Sequence, residues 1–210
     1  MRRLSKMAKK LPIFAFLLLV IPSLLQAAST RDPYQFFFQQ SLGDLSEELE
    51  IARDEGKQGV FVFFEMDECP FCHRMKQTVL TQLEVQEYFS EKFHSLVIDI
   101  EGDIEIDDQR VKFHSLVIDI EGDIEIVDFT GADTTQKEFA RQNRVRATPL
   151  LVFYDLQGDP IFKYVGAPSG VQEFMWMGEF IADKVYLQKD DSGRNIRFAR
   201  YKRMKKNNTL

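Results

Sequence analysis

Cys69 and Cys72 are the only thiols in 210 residues. They lie in Phe61-Val62-Phe63-Phe64-Glu65-Met66-Asp67-Glu68-Cys69-Pro70-Phe71-Cys72, where an apolar run of strand character ends in a short acidic loop and a helical pattern follows. With no other thiol in the chain, they pair with each other, bind something, or stay reduced. A C-x-x-C at the start of a helix suits reversible dithiol–disulfide chemistry. There, unpaired backbone N–H groups and the helix dipole stabilise a thiolate at Cys69, and Cys72, one turn on, can close a small ring back onto it. Pro70 fits the first helical turn, where a missing backbone donor costs nothing. A ring this small constrains little unfolded-chain entropy, so redox work is a better reading of the pair than a structural staple.

Two other chemistries compete for the same residues. Cys69-Pro70-Phe71-Cys72-His73 matches the C-x-x-C-H pattern of covalent haem attachment, with Met175 or Met177 as a conceivable sixth ligand. Its setting, after a buried strand in a mixed α/β pattern, is not that of a small all-helical cytochrome. A structural zinc site needs four ligands, and beyond the cysteines there are only His73, His94 and His114. No cofactor or metal is therefore expected. His73 and Arg74 place positive charge near the helix start, whereas Glu65, Asp67 and Glu68 oppose a thiolate.

The cysteines need a strand to deliver them and a helix to hold them. Val60 to Phe64 is apolar throughout, as in a strand covered on both faces. Cys72, Met75, Val79, Leu80 and Leu83 form the buried stripe of the following helix, with Val85 to Phe89 a further turn. Upstream, residues 28–40 are a leader with an aromatic cluster at Tyr34, Phe36, Phe37 and Phe38. Ser41 to Asp44 has capping-box spacing before a helix with Leu42, Leu45, Leu49 and Ala52 on its inner face. Phe93 to Ile100 is a second strand.

Lys92 to Ile106 then recurs without change as Lys112 to Ile126. Two identical copies differ from the divergent repeats of a solenoid. They indicate an exact tandem duplication, in the gene or in the assembly of its sequence. One copy can occupy the sheet, and the first is expected to do so because the preceding helix leads directly into it. Asp133 or Thr134 caps a short helix through Asn143. The strand Leu150 to Tyr154, the turn Gln157-Gly158-Asp159 and the strand Ile161 to Val165 read as an antiparallel hairpin. Ser169 caps a last helix with Phe174, Met177, Ile181 and Val185 inward.

The first 27 residues read as an export signal: five basic residues, a 15-residue apolar run from Leu11 to Leu25, and a small-residue cleavage site at Ala27. The run is short for a membrane span, so an uncleaved anchor is the lesser alternative. Without this segment the 27 basic residues fall to 22, against 33 acidic, for a net charge of −11. That argues against a nucleic-acid partner. Residues 192–210 carry seven basic and no acidic residues. They read as a disordered solvated tail, with peripheral contact to anionic lipid a further use.

The order helix, strand, C-x-x-C helix, strand, helix, hairpin, helix resembles the thioredoxin superfamily over roughly residues 41–187. The resemblance rests on Cys69-Pro70-Phe71-Cys72 after a buried strand, on Thr148-Pro149 opening a later strand, and on the terminal hairpin and helix. The acidic lead into C-P-F-C and the run Val145-Arg146-Ala147-Thr148-Pro149-Leu150-Leu151-Val152-Phe153 are most similar to exported, SoxW-type thioredoxin-like proteins. The resemblance implies an α/β thioredoxin fold, a central mixed sheet flanked by helices, here with an N-terminal helical extension and the duplicated strand segment. It implies that Pro149 is cis beside the cysteines and that Thr148 offers backbone to a substrate peptide. Cytosolic thioredoxins carry a buried Asp six residues before the first cysteine, where this chain has Phe63, so Glu65 becomes the nearest acceptor for the Cys72 proton.

The resulting expectation is a periplasmic thiol:disulfide oxidoreductase. It would be reduced by a membrane electron carrier of the CcdA/DsbD type and would reduce disulfides of exported proteins. The alternatives are a DsbA-like thiol oxidase and, from another class, a c-type cytochrome. The expected organisation is a signal peptide at 1–27, a leader at 28–40, the domain at 41–187 and a basic tail at 188–210.

Overall fold

The computed structural model describes residues 31–101 and 124–208. The expected export signal, most of the duplicated segment and the last two residues lie outside them. The leader forms a short helix, α1 (Pro33–Phe36), followed by α2 (Leu45–Asp54), the strand β1 (Gly59–Glu65) and helices α3 (Pro70–Thr78) and α4 (Leu83–Lys92). Strand β2 (Phe93–Asp99), a hairpin of β3 (Glu125–Val127) and β4 (Asp133–Thr135), and α5 (Gln136–Gln142) come next. The chain then forms β5 (Leu150–Tyr154), β6 (Pro160–Val165), α6 (Val171–Ala182), a 3-10 turn (Val185–Leu187) and α7 (Phe198–Lys206).

The main sheet has the order β2-β1-β5-β6, with β1 parallel to β2 and antiparallel to β5. Every residue of β1 is buried, because helices cover both faces of the sheet. Side chains alternate along the strand, and this divides the core in two. Phe61 and Phe63 join Met75, Phe89, Phe174 and both cysteines on one side. Val60, Val62 and Phe64 join α2, α5 and β2 on the other. The first side is built of aromatic rings: Phe89 and Phe174 stack at 4.3 Å, and Phe61 meets Phe37, Phe89, Phe153 and Phe174. Gly178 lies where α6 crosses α4, and a Cβ there would stand 2.8 Å from the Tyr88 ring.

Several elements differ from the sequence reading. The N-cap of α2 is Asp44, whose carboxylate accepts the Glu47 N–H at 3.0 Å, so Leu42 falls before the helix and is exposed. The helix after the cysteines breaks at Val79 and resumes at Leu83, leaving Leu83 half exposed. Thr135 caps α5, and Gly170 precedes α6. Ser169 instead donates to Glu173.

The tail is a larger correction. Residues 188–208 are folded onto the domain: Ile196, Phe198 and Tyr201 are buried, and the Phe198 ring meets Phe162 and Phe180. Phe198 and Tyr201 share a helix face, and cations beside them meet carboxylates of α6, Lys202 with Glu173 and Lys205 with Glu179, each at 2.5 Å. Burial pushes the Glu173 carboxyl up, but hydrogen bonds from Lys202, Ser169 and Tyr164 outweigh it and hold the pKa at about 2.

It is the first copy of the duplicated segment that supplies β2 beside β1. From the second copy, Ile124, Glu125 and Ile126 lie among the described residues, and they have the same identities as Ile104, Glu105 and Ile106. Gln136 brings the two ends together, since its N–H donates to the Ile124 carbonyl at 3.0 Å and its Oε1 accepts the Asp99 N–H at 3.2 Å. Four residues, 100–103, can span that gap, with a reach of about 13 Å. Deleting residues 107–126 joins Ile106 to Val127 and regenerates the β3 sequence unchanged. We expect the deletion variant to be soluble and to melt no more than a few degrees below the full chain, since a shorter connection costs less closure entropy, by about 0.6 kcal/mol per halving. Insoluble protein, or a much lower Tm, would show that both copies are structural.

Candidate active site

Strand β1 ends at Glu65, and residues 66–68 turn the chain into α3. Cys69 is the N-cap of α3 and Pro70 its first residue. Cys69 and Cys72 form a disulfide with Cα atoms 5.2 Å apart, and the Cys72 N–H donates to Cys69 Sγ at 3.1 Å. That backbone donor, together with the helix dipole, is the element that would stabilise a Cys69 thiolate. Cys72 is fully buried, while Cys69 is 4 % exposed, less open than a nucleophile at a helix start suggests. The acidic loop before it is tied down: His73 Nε2 lies 2.6 Å from the Asp67 carbonyl oxygen, and the Asp67 N–H donates to Glu101 Oε2 at 3.0 Å. Phe71, between the cysteines, is 54 % exposed, and the Arg74 guanidinium lies 5.1 Å from its ring centre.

The peptide bond Thr148–Pro149 is cis. Phe64 faces Leu150 across the sheet, so Pro149 lies at the same end as Glu65 and the cysteine turn. The Pro149 carbonyl accepts the Gly166 N–H at 2.8 Å. Beside α3, residues Arg74, Met75, Thr78 and Val79 and the loop 167–170 line an open cleft of about 320 Å³. A larger cleft, about 530 Å³, lies by the β3–β4 hairpin, and neither cleft is lined by a cysteine.

Haem does not fit these residues. Thioether attachment needs both sulfurs accessible, and Cys72 lies in the core. Iron ligation needs His73, whose Nε2 is engaged with the Asp67 carbonyl.

Four carboxylates gather at this end of the sheet. Glu65 faces Asp99 in register, and Asp67 and Glu101 are joined by the hydrogen bond above. Asp99 is pushed up to about 6, first by burial and then by the charges of Asp67, Glu101 and Glu65, against a hydrogen bond from the Glu101 N–H. Its folded pKa is above the ordinary one, so between pH 4 and 6 the native state holds a proton that the unfolded chain has released. Stability falls as pH rises through that window. Asp99→Asn should flatten the fall and, at this half-buried site, add about 1 kcal/mol at pH 7. Urea unfolding at pH 4 and pH 7 measures both. Equal pH dependence in the variant and the wild type would contradict the assignment.

Sequence reasoning missed two partners of Glu65. Lys76 Nζ forms an ion pair with Glu65 Oε2 at 2.5 Å, and Tyr34 of the leader donates its hydroxyl to Glu65 Oε1 at 2.8 Å. Lys76 is four residues after Cys72, a spacing that could have signalled it. Nothing local points to Tyr34.

A family model for the thioredoxin-like domain matches residues 45–181. The chain belongs to that family. The match spans both cysteines and Pro149, but neither α1 nor α7. Among solved structures, a thioredoxin-fold protein from Helicobacter pylori is 22 % identical, with 72 % of this chain and 86 % of that one covered and a TM-score of 0.52. A DsbH oxidoreductase is 19 % identical over 70 % and 85 % of the chains with a TM-score of 0.47. A thioredoxin from Thermus thermophilus is 20 % identical over 67 % and 85 % with a TM-score of 0.46. The first of these shows the fold. No curated protein matches the sequence significantly.

Proposed function

We propose that the protein is an exported thiol:disulfide oxidoreductase that reduces disulfides of exported proteins through Cys69 and Cys72. One observation carries the reading: in a thioredoxin-like domain, the cysteine pair forms a disulfide at a helix start, with Cys69 as N-cap accepting a backbone N–H. The Cys69 thiolate attacks a partner disulfide, joins one partner sulfur and releases the other. Cys72 gives its proton to the Glu65 carboxylate, and its sulfur attacks Cys69 Sγ. The Cys69–partner bond breaks, the second partner sulfur leaves as a thiolate, and it takes the proton back from Glu65. Two electrons pass from the cysteine pair to the partner disulfide.

Thr148 and Pro149 would align the partner's backbone beside the pair, with the exposed Phe71 ring as an apolar contact. A membrane electron carrier of the CcdA/DsbD type would regenerate the dithiol, and the export signal would place the protein in the periplasm. Among the described residues, no helix is long and apolar enough to cross a membrane. Arg203 and Lys206 of α7 and Arg197 at its N-cap are exposed and available for peripheral contact with anionic lipid. Reduction of a disulfide-linked protein by dithiothreitol, with and without this protein, tests the activity. Acceleration that disappears in Cys69→Ala supports the reading, and its absence in the wild type would end it. A DsbA-like oxidase is the second reading, because the N-cap geometry at Cys69 also favours a thiolate and hence the reduced form.

A further inference from the structure

The leader precedes the span matched by the family, yet it reaches the redox site. Phe37 and Phe38 are buried in the same core cluster as both cysteines, and their rings meet Phe61 and Phe63, which anchors the leader against β1. From that anchor Tyr34 takes part in a three-membered polar unit. Lys76 Nζ donates to the Tyr34 hydroxyl at 2.5 Å, and the hydroxyl donates to Glu65 Oε1 at 2.8 Å. Glu65 Oε2 closes the unit against Lys76 at 2.5 Å. The ammonium also lies 5.0 Å from the centre of the Tyr34 ring. The Glu65 side chain is 7 % exposed and that of Lys76 14 %, so water does little to hold them in place. Lys76 follows Cys72 by one helical turn on the same face of α3, and Glu65 is the last residue of the strand that delivers Cys69.

A buried carboxylate between an ammonium and a phenol has one well-defined orientation. We propose that Tyr34 is a positioning residue of the redox site: the leader, through its hydroxyl, fixes the Glu65–Lys76 pair for proton exchange with Cys72. This rests on the oxidoreductase reading above. The Tyr34 hydroxyl holds one carboxylate oxygen and the Lys76 ammonium the other. The other titratable and charged groups at this end of the sheet are the carboxylates of Asp99, Asp67 and Glu101, which supply no donor in place of Tyr34, and His73 and Arg74 of α3, which are engaged with the Asp67 carbonyl and the Phe71 ring.

The test follows the reaction of the reduced full-length protein with excess oxidised glutathione against pH: Cys69 takes one glutathione sulfur, Cys72 then displaces it, and disulfide formation is read by acid quench and mass spectrometry. This reports on the cysteine pair itself, so it reads Tyr34 even where the wild type fails to reduce a protein disulfide. That second failure would count against the oxidoreductase reading alone. Tyr34→Phe keeps the buried ring and should slow ring closure near neutral pH about tenfold, the size expected for a lost hydrogen bond to a charged group. It should also change the pH profile of the reaction, with Tm within a few degrees of wild type. In a Glu65→Gln background, the same substitution should have no further effect on rate or profile, because Tyr34 acts through Glu65. A Tyr34→Phe profile that superimposes on the wild type, or equal slowing with and without Glu65, would overturn the proposal. Where Tyr34→Phe unfolds, Lys76→Met is the second variant, and an unchanged pH profile there would overturn it equally.

Discussion

Cys72→Ala is expected to convert the protein into a trap that accumulates mixed disulfides with its partners, whereas Cys69→Ala accumulates none and loses exchange down to the uncatalysed rate. The asymmetry follows from position. Cys69 is the N-cap of α3, accepts the Cys72 N–H, and is the less buried of the two, 4 % exposed against 0 %. Its sulfur is therefore both the more acidic thiol and the one a partner disulfide can meet. Cys72 lies in the core among Phe63 and Met75, where it can reach Cys69 and nothing outside. Removing Cys72 leaves the first attack intact and deletes the resolving step. Removing Cys69 leaves a thiol with no access. Non-reducing gels of both variants, incubated with a disulfide-linked protein and then alkylated, measure the difference. Equal trapping by the two variants would refute the assignment of roles.

The parts of this site visible in the sequence are those specified locally. A C-x-x-C after five apolar residues fixes a strand, a turn and a helix start within about a dozen positions, and Pro70 marks the first turn. Period-two alternation in β1 was hidden by the uniform apolarity of Val60 to Phe64, since both faces are covered and no polar residue marks either. The Tyr34–Glu65 bond joins residues 31 apart, and the convergence of Glu65, Asp67, Asp99 and Glu101 depends on the β1–β2 register. Neither leaves a local pattern. The tail was misread for a different reason. Seven cations between residues 192 and 210 outweigh Ile196, Phe198 and Tyr201 in composition, but all three of these residues are buried, Phe198 and Tyr201 on one helix face, and Lys202 and Lys205 find carboxylates on α6. Charge content alone does not separate a solvated tail from an amphipathic helix whose counter-ions lie elsewhere in the chain.

Phe71→His should raise the reduction potential of the Cys69–Cys72 pair and lower the pKa of Cys69 together. A dithiol is more oxidising the more the protein stabilises its thiolate, because that favours the reduced form. At the wild-type site the stabilising elements are the helix start and the Cys72 N–H. Against them stand the carboxylates of Glu65, Asp67, Asp99 and Glu101, among which burial first, and then the neighbouring charges, push Asp99 up to about 6. The nearby cations are largely occupied: Lys76 is paired with Glu65, His73 is engaged with the Asp67 carbonyl, and Arg74 lies over the Phe71 ring. Phe71 itself offers neither charge nor hydrogen bond. The wild-type potential is therefore expected well below the ~ −120 mV of a strong oxidant and nearer the ~ −200 to −270 mV of glutaredoxins and thioredoxin. An imidazole at position 71 adds a donor beside the Cys69 sulfur and loses the ring that holds Arg74, and both changes bring positive charge toward the thiolate. The expected rise is about 30–60 mV, a ten- to hundredfold change in the equilibrium with dithiothreitol. Redox titration against glutathione and dithiothreitol gives the potential, and thiolate absorbance followed against pH gives the acidity of Cys69. A wild-type pair that already titrates near −120 mV would end the reductase assignment and put the oxidase reading in its place. A potential unmoved in Phe71→His would show instead that the carboxylates and the helix start, not the residue between the cysteines, set the direction of electron flow.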